Sequence, residues 1–161
     1  MAFSATTDDG AHVYRTLTTW TGSTGAGYDA YDRTHEVSSP PADATLTLAN
    51  DPALGGRADL LDPEQLLLAA ASSCQLLSFL AVAARARVDV RGYRDAASAT
   101  MSTDRHRARV AAIVLRPEIT VAGTVTDARV EHLVEVAHRE CYIANSLATP
   151  VTVEPAVLRE A

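Results

Sequence analysis

Apolar and polar residues alternate from Val13 to Thr21, with Tyr14, Thr16, Thr18 and Trp20 on one side, which predicts a strand ending in the glycine-rich turn Gly22–Gly27. Tyr31–Val37 and Thr45–Leu48 read as two more strands, with Pro40 and Pro41 between them, so this half is antiparallel β. The pattern then changes period. Asp62 suits a helix N-cap, Pro63 the first turn, and Gln65 completes a capping box. From there Leu67, Ala70, Cys74, Leu77 and Ala81 recur at spacings of three and four, predicting a long helix that ends near Arg87 and buries that stripe. Arg91–Thr103 and Val110–Val121 read as paired strands around a hairpin turn at Arg105–Arg109. A second helix is expected after Asp127 as its cap, with Val130, Val134, Ala137 and Cys141 on one face, and Pro150–Val153 supplies a closing strand. The order of strands, helix, strands, helix and strand, without repeats, gives an α+β domain with antiparallel sheets and two core helices, spanning residues 1–161 as one unit.

Composition narrows the function. The chain of 161 residues is 47% hydrophobic, enough for a core without disulfide staples. Its net charge of −6, with every basic residue an arginine, offers no basic face for nucleic acid and no lysine for Schiff-base chemistry. Met1–Gly10 lacks the basic and apolar regions of a secretory signal, and serines interrupt the apolar run Leu66–Ala84, so a cytoplasmic protein that neither crosses nor binds a membrane is expected. Two cysteines in such a setting are either inert core residues or redox groups.

Periodicity alone favours the inert reading, since free cysteine is among the most buried residue types. A redox pair needs more. A thiol that reduces a peroxide must be a thiolate, which calls for a nearby cation, and its sulfenic acid must be met by a second thiol. Cys74 and Cys141 serve only if the fold closes the 67 positions between them to about 7 Å between α-carbons. The helix dipole has faded three turns into the helix, so an arginine must act, and Arg33 and Arg57 are the candidates. Glu64 could tether either one, or simply favour the dipole of the first turn. A metal site from His132, His138 and Cys141 lacks a recognised ligand spacing, and Gly22–Gly27 lacks the spacing of a dinucleotide loop, so no cofactor is expected.

The segment Leu61-Asp-Pro-Glu-Gln-Leu-Leu-Leu-Ala-Ala-Ala-Ser-Ser-Cys74 resembles the signature of the OsmC/Ohr family, with a cysteine ten residues after the glutamate that opens a helix. His138-Arg-Glu-Cys141-Tyr-Ile-Ala-Asn-Ser-Leu147 is similar to that family's resolving-cysteine helix. The Trp20-Thr-Gly and Tyr31-Asp-Arg-Thr-His-Glu-Val37 segments and Ala137-His138 resemble an actinobacterial-type subgroup. The resemblance implies an intertwined homodimer with active sites at the subunit interface. It also implies a peroxidase for organic hydroperoxides in which Cys74 attacks, Cys141 resolves, Glu64 holds the activating arginine, and an external dithiol such as a lipoyl group is the reductant. Arg33 matches the family's early-strand arginine and Arg57 the position used by other members, the former being favoured. Gln75-Leu-Leu departs from the Phe or His-Met found after the cysteine in many relatives, and an alkyl pocket of Leu76, Leu77 and Phe79 is the expectation. The alternative function is a non-catalytic binding protein that holds an apolar small molecule with idle thiols.

Overall fold

A computed structural model describes residues 10–102, 104 and 108–160. The expected hairpin tip at 105–107 and the N-terminal nine residues lie outside them. The chain forms two compact units, Met1–Gln65 and Leu66–Ala161.

In the first unit, β1 (Leu17–Thr19), β2 (His35–Ser38) and β3 (Thr45–Leu48) form an antiparallel sheet in that order, with Leu17 opposite Ser38 and His35 opposite Leu48. β2 starts four residues later than the alternation predicts. Asp32 Oδ1 accepts from the amide of Thr34 at 2.9 Å and from its hydroxyl at 2.7 Å, an Asx-type turn that keeps Tyr31–Arg33 out of the sheet. After β3, a 3-10 turn (Pro52–Leu54) is capped by Asp51, whose Oδ1 accepts from the Ala53 amide at 2.7 Å. The loop closes tightly behind it. Gly56 donates its amide to the Asp51 carbonyl, and a Cβ placed on Gly56 would lie 1.5 Å from the Asn50 carbonyl oxygen.

Helix α1 (Pro63–Arg85) opens with the expected capping box: the Gln65 amide donates to Asp62 Oδ1 at 2.7 Å, and the Asp62 amide to Gln65 Oε1 at 3.2 Å. The helix stops at Arg85. Arg87 then takes the left-handed conformation (φ 57°), and the Val88 amide reaches back to the Ala83 carbonyl at 2.9 Å, as in a Schellman end.

The second unit carries two three-stranded sheets, each a mixture of antiparallel and parallel pairs. One has the order β4 (Val90–Asp95), β7 (Pro117–Val121), β9 (Ala156–Arg159); the other has β5 (Ser98–Met101), β6 (Val110–Leu115), β8 (Val151–Val153). In each the last strand pairs parallel to the middle one. The two predicted long strands therefore exist as bent pairs, each crossing from one sheet to the other at a short link. At that crossing Asp95 Oδ1 accepts from the Arg116 amide at 2.7 Å, and the Glu154 amide donates to the Leu115 carbonyl at 2.8 Å. β9 and the short helix α3 (Tyr142–Ser146) were not foreseen by the pattern.

Helix α2 (Asp127–Glu140) is capped by Thr126, whose side chain accepts from the Arg129 amide, and not by Asp127. Thr126 has the extended backbone a cap requires, and Asp127 instead occupies the first turn, where its carboxylate pairs with Arg159. The unit has two buried clusters. Phe79, Val82 and Ala83 of α1 pack with Ile119 and Val121 of β7 and with α2. Ala71 packs with Val110, Ile113 and Leu115 of β6, with Ile143 and Leu147 against them.

The buried face of α1 is Ala71, Gln75, Phe79, Val82 and Ala83, not the predicted Leu67–Ala81 stripe, of which Ala70, Leu77 and Ala81 are exposed. The helix is apolar around most of its circumference, so spacing alone could not choose its inner face. The polar residue on that face, Gln75, is 1% exposed and donates Nε2 to the Val134 carbonyl at 3.4 Å.

Candidate active site

Cys74 lies mid-α1, between Ala71 of one cluster and Phe79 of the other, and is half-buried. Cys141 is buried. It is not on the face of α2, as the spacing predicts, but at the hinge between α2 and α3, where its backbone is extended (φ −74°, ψ 108°). The helix breaks there because α2 closes with the Cys141 amide on the His138 carbonyl and α3 restarts from the Cys141 carbonyl. Asn145 fastens the corner by donating Nδ2 to the Arg139 carbonyl at 2.9 Å.

The fold thus brings together two thiols 67 positions apart in sequence. Both are free, and Cys74 is near enough to act on the Cys141 thiol. Burial pushes the Cys141 thiol above its ordinary value, the Ala144 amide pulls it part of the way back, and the hydrogen bond and charge of Cys74 push it up again. A negative charge on Cys74 therefore keeps the proton on Cys141.

Three side chains around this pair were not singled out from the sequence. Ser72 donates its hydroxyl to Asp95 Oδ2 at 2.5 Å, and Tyr93, two residues before Asp95 on β4, rests on Phe79 with ring centroids 6.0 Å apart. The Tyr93 hydroxyl is buried without a hydrogen-bond partner. Alternation along Val90–Asp95 pairs Tyr93 with Asp95, but the bulge between Val90 and Gly92 decides which way they face, and the sequence carries no mark of it. Of the residues expected to form an alkyl pocket, Phe79 is wholly buried in the core, Leu76 is half-buried and Leu77 is exposed.

The remaining predicted residues belong to the first unit. The Arg33 guanidinium lies in the corner of two aromatic rings that meet edge to face, 4.7 Å from the Tyr28 centroid and 4.1 Å from that of Tyr31. It donates to the carbonyls of Tyr28 at 2.6 Å, Tyr31 at 3.1 Å and Gly55 at 3.4 Å. It also borders a cavity of about 330 Å³ together with Trp20, Tyr31, His35 and Asn50. Arg57 instead forks onto Asp59 at the surface, with contacts of 3.0 and 2.6 Å, and that pairing raises it further. Glu64 sits in the first turn of α1 with Oε2 buried and unpartnered. No group of three or more His, Cys, Asp or Glu able to hold a metal occurs among the described residues, and His132 lies 3.9 Å from Glu135.

Residues 56–156 match the family described as OsmC-like protein. Among solved structures the chain is similar to an OsmC-like protein of unknown function from Vibrio cholerae O1 biovar eltor, with a TM-score of 0.81 and 28% identity over 89% of this chain and 99% of that one. It is also similar to an organic hydroperoxide resistance protein from Legionella pneumophila (TM-score 0.64, 20% identity, 91% and 98% covered). A third, an organic hydroperoxide resistance protein from Elizabethkingia anophelis with thiocyanate bound, gives 0.66 and 19% over 92% and 97%. The last two establish likeness of fold. No curated protein matches the sequence.

Proposed function

The chain belongs to the OsmC-like family, and from that premise we propose that it is a thiol-dependent peroxidase that reduces organic hydroperoxides through Cys74 and Cys141. The observation that supports this reading is the nearness of the half-buried Cys74 to the buried Cys141, two free thiols that only the fold brings together.

In the proposed cycle the Cys74 thiolate attacks the peroxide oxygen, the O–O bond breaks, and the alcohol leaves as the sulfur becomes a sulfenic acid. Cys141 then displaces water to form the disulfide, and an external dithiol restores both thiols while itself becoming a disulfide. The division of labour follows from the site. The thiol whose proton is held by burial and by its neighbour's charge is the one that waits, which supports Cys141 as the resolving partner.

Arg33 is the better candidate for the activating cation, since its partners are neutral carbonyls and aromatic rings while Arg57 is already neutralised by the Asp59 carboxylate. A guanidinium offers five donors, enough to hold a thiolate and orient a peroxide together. Glu64, with a buried carboxylate oxygen lacking a partner, is the acceptor such an arginine would take in the reactive state. Two hydroperoxide resistance proteins share this fold, which supports the substrate class. The working unit is a homodimer, because α1 leaves an apolar stripe uncovered that a second copy would bury.

The test is a titration of the reduced protein with one equivalent of cumene hydroperoxide, counting thiols and weighing the intact chain. Wild type should lose two thiols and two hydrogens, Cys74→Ser should not react, and Cys141→Ser should stop at the sulfenic acid. Wild-type thiols that survive the peroxide unchanged would overturn the reading in favour of a binding protein with idle thiols.

A further inference from the structure

The crossover through α2 to β8 leaves a groove that the thiol chemistry does not use. In the sheet ordered β5, β6, β8, the last strand has a neighbour on one side only. The Ile113 amide donates to the Pro150 carbonyl at 3.0 Å and the Glu154 amide to the Leu115 carbonyl at 2.8 Å. That ladder engages the residues on either side of Val151 and Val153, so the amides and carbonyls of those two valines point away from β6. A cavity of about 380 Å³ lies there, bordered by Val151, Thr152 and Val153 and by Glu131, Val134 and Glu135 of α2. Thr152 faces the opposite side of the sheet from its neighbours, so the cavity runs along the strand edge. The edge lacks the usual protection. Val-Thr-Val is β-branched throughout and uncharged, where open edges are commonly blunted by lysine or an inward charge. Pro150 and Pro155 bracket it and confine the open stretch to three residues. The flank of α2 beside it is acidic: among the described residues Glu131 makes no ion pair, and Glu135 meets only His132, at 3.9 Å.

We propose that this groove is a docking site for an extended, basic segment of another protein, which adds to β8 as a further strand. Its main chain pairs with the amides and carbonyls of Val151 and Val153, the groups the ladder leaves over. Every second side chain of that segment falls on the α2 side. Glu131 and Glu135 are one turn apart, about 6 Å along the helix, close to the roughly 6.6 Å between alternate residues of a strand. Two arginine or lysine residues at alternate positions therefore meet the two carboxylates over the apolar floor of Val134. A second copy of this chain is the poorer occupant. Pairing the same edge about a two-fold axis would set Glu131 and Glu135 against their own equivalents, in a chain whose net charge is already −6. The proposal stands apart from the peroxidase reading, since no thiol takes part.

The probe is a capped pentapeptide of alternating arginine and valine, added to the reduced full chain at low ionic strength. In amide spectra of the isotope-labelled protein, Val151 and Val153 should shift first. Exchange of those two amides with solvent, fast in the free protein, should slow on binding. The same peptide with methylated backbone nitrogens keeps its charges and loses its donors, and its affinity should fall about fivefold or more, as the loss of a pair of hydrogen bonds implies. The double variant Glu131→Arg, Glu135→Arg alters two exposed side chains, so its far-ultraviolet dichroism should be retained while affinity for the arginine peptide falls about tenfold or more. A glutamate-valine peptide should not bind. No shift at about 1 mM arginine peptide would overturn the proposal, and so would equal affinity for the methylated peptide, which would reduce the groove to a charged patch. Val151 and Val153 amides that are already protected in the free protein, and lose that protection on dilution, would overturn it in favour of a second copy at this edge.

Discussion

Ser72 Oγ and Asp95 Oδ2 are 2.5 Å apart, so the middle of α1 is tied to the end of β4 at the point where the chain leaves one sheet for the other. The acceptor is a half-buried carboxylate whose second oxygen already receives the Arg116 amide. Ser72→Ala should cost about 1.5–3 kcal/mol, the range of hydrogen bonds to charged groups. The guanidinium midpoint should fall with an unchanged slope. A midpoint equal to that of wild type would mean that water replaces the hydroxyl without loss.

The raised pKa of Cys141 gives stability a definite dependence on alkaline pH. With the folded value above the ordinary 9.0, the unfolded chain releases the proton first, so it binds fewer protons than the native state there. The contribution is therefore complete below about pH 9 and is lost as pH rises through the folded value. Tyr93, raised by burial, acts in the same direction from its ordinary value of 10.0 upward. Denaturation of the reduced protein at pH 8 and pH 10 should show the loss, and Cys141→Ala should show a smaller one. Equal losses in the two proteins would remove Cys141 as the source.

What the sequence disclosed and what it withheld divide along physical lines. Signals carried by adjacent residues were legible: Asp62, Pro63 and Gln65 open α1 as their capping chemistry requires, and Thr45–Leu48 is a strand to the residue. Signals that need a third dimension were not. Leucine and alanine surround α1, so spacing does not select its inner face, and the spacing that reaches Cys141 continues the face of α2 across the break. The two cysteines could be named from motif resemblance, yet their nearness, the packing of Tyr93 on Phe79, and the two rings beside Arg33 are products of tertiary structure.

The loop from Asn50 to Arg57 has no room at one position. A Cβ on Gly56 would lie 1.5 Å from the Asn50 carbonyl oxygen and 2.1 Å from its carbon, both backbone atoms that cannot swing aside. The same turn is held by the Gly56 amide on the Asp51 carbonyl at 3.0 Å. Gly56→Ala should therefore cost about 3 kcal/mol or more, as overpacking against fixed atoms does. At Arg87 the argument reverses. Its left-handed backbone (φ 57°) strains a residue with a side chain, and Arg87→Gly should stabilise by about 0.5–1 kcal/mol. Thermal melts of both variants check the opposite signs.

The outer face of α1 bears on assembly. Ala70, Ser73, Leu77, Leu80 and Ala84 are all exposed or partly so and follow one another at spacings of three, four, three and four, the seam of a helix that pairs with another helix. Leu77 is 64% and Leu80 40% exposed, and the small residues between them would let a second backbone approach closely. The helix is 23 residues long and its most apolar 18-residue stretch has a mean hydropathy of 2.0, yet only 28% of that stretch is buried within one chain. Leaving so continuous a stripe in water is unfavourable, and a second copy would remove it from solvent in the way the proposed homodimer requires. Sedimentation equilibrium should give wild type twice the 17.0 kDa chain mass. Leu77→Arg should sediment as the single chain, with its far-ultraviolet dichroism retained because Leu77 adds nothing to either buried cluster. A wild type at the single-chain mass would sink the dimer, and a dimeric Leu77→Arg would move the interface to another face.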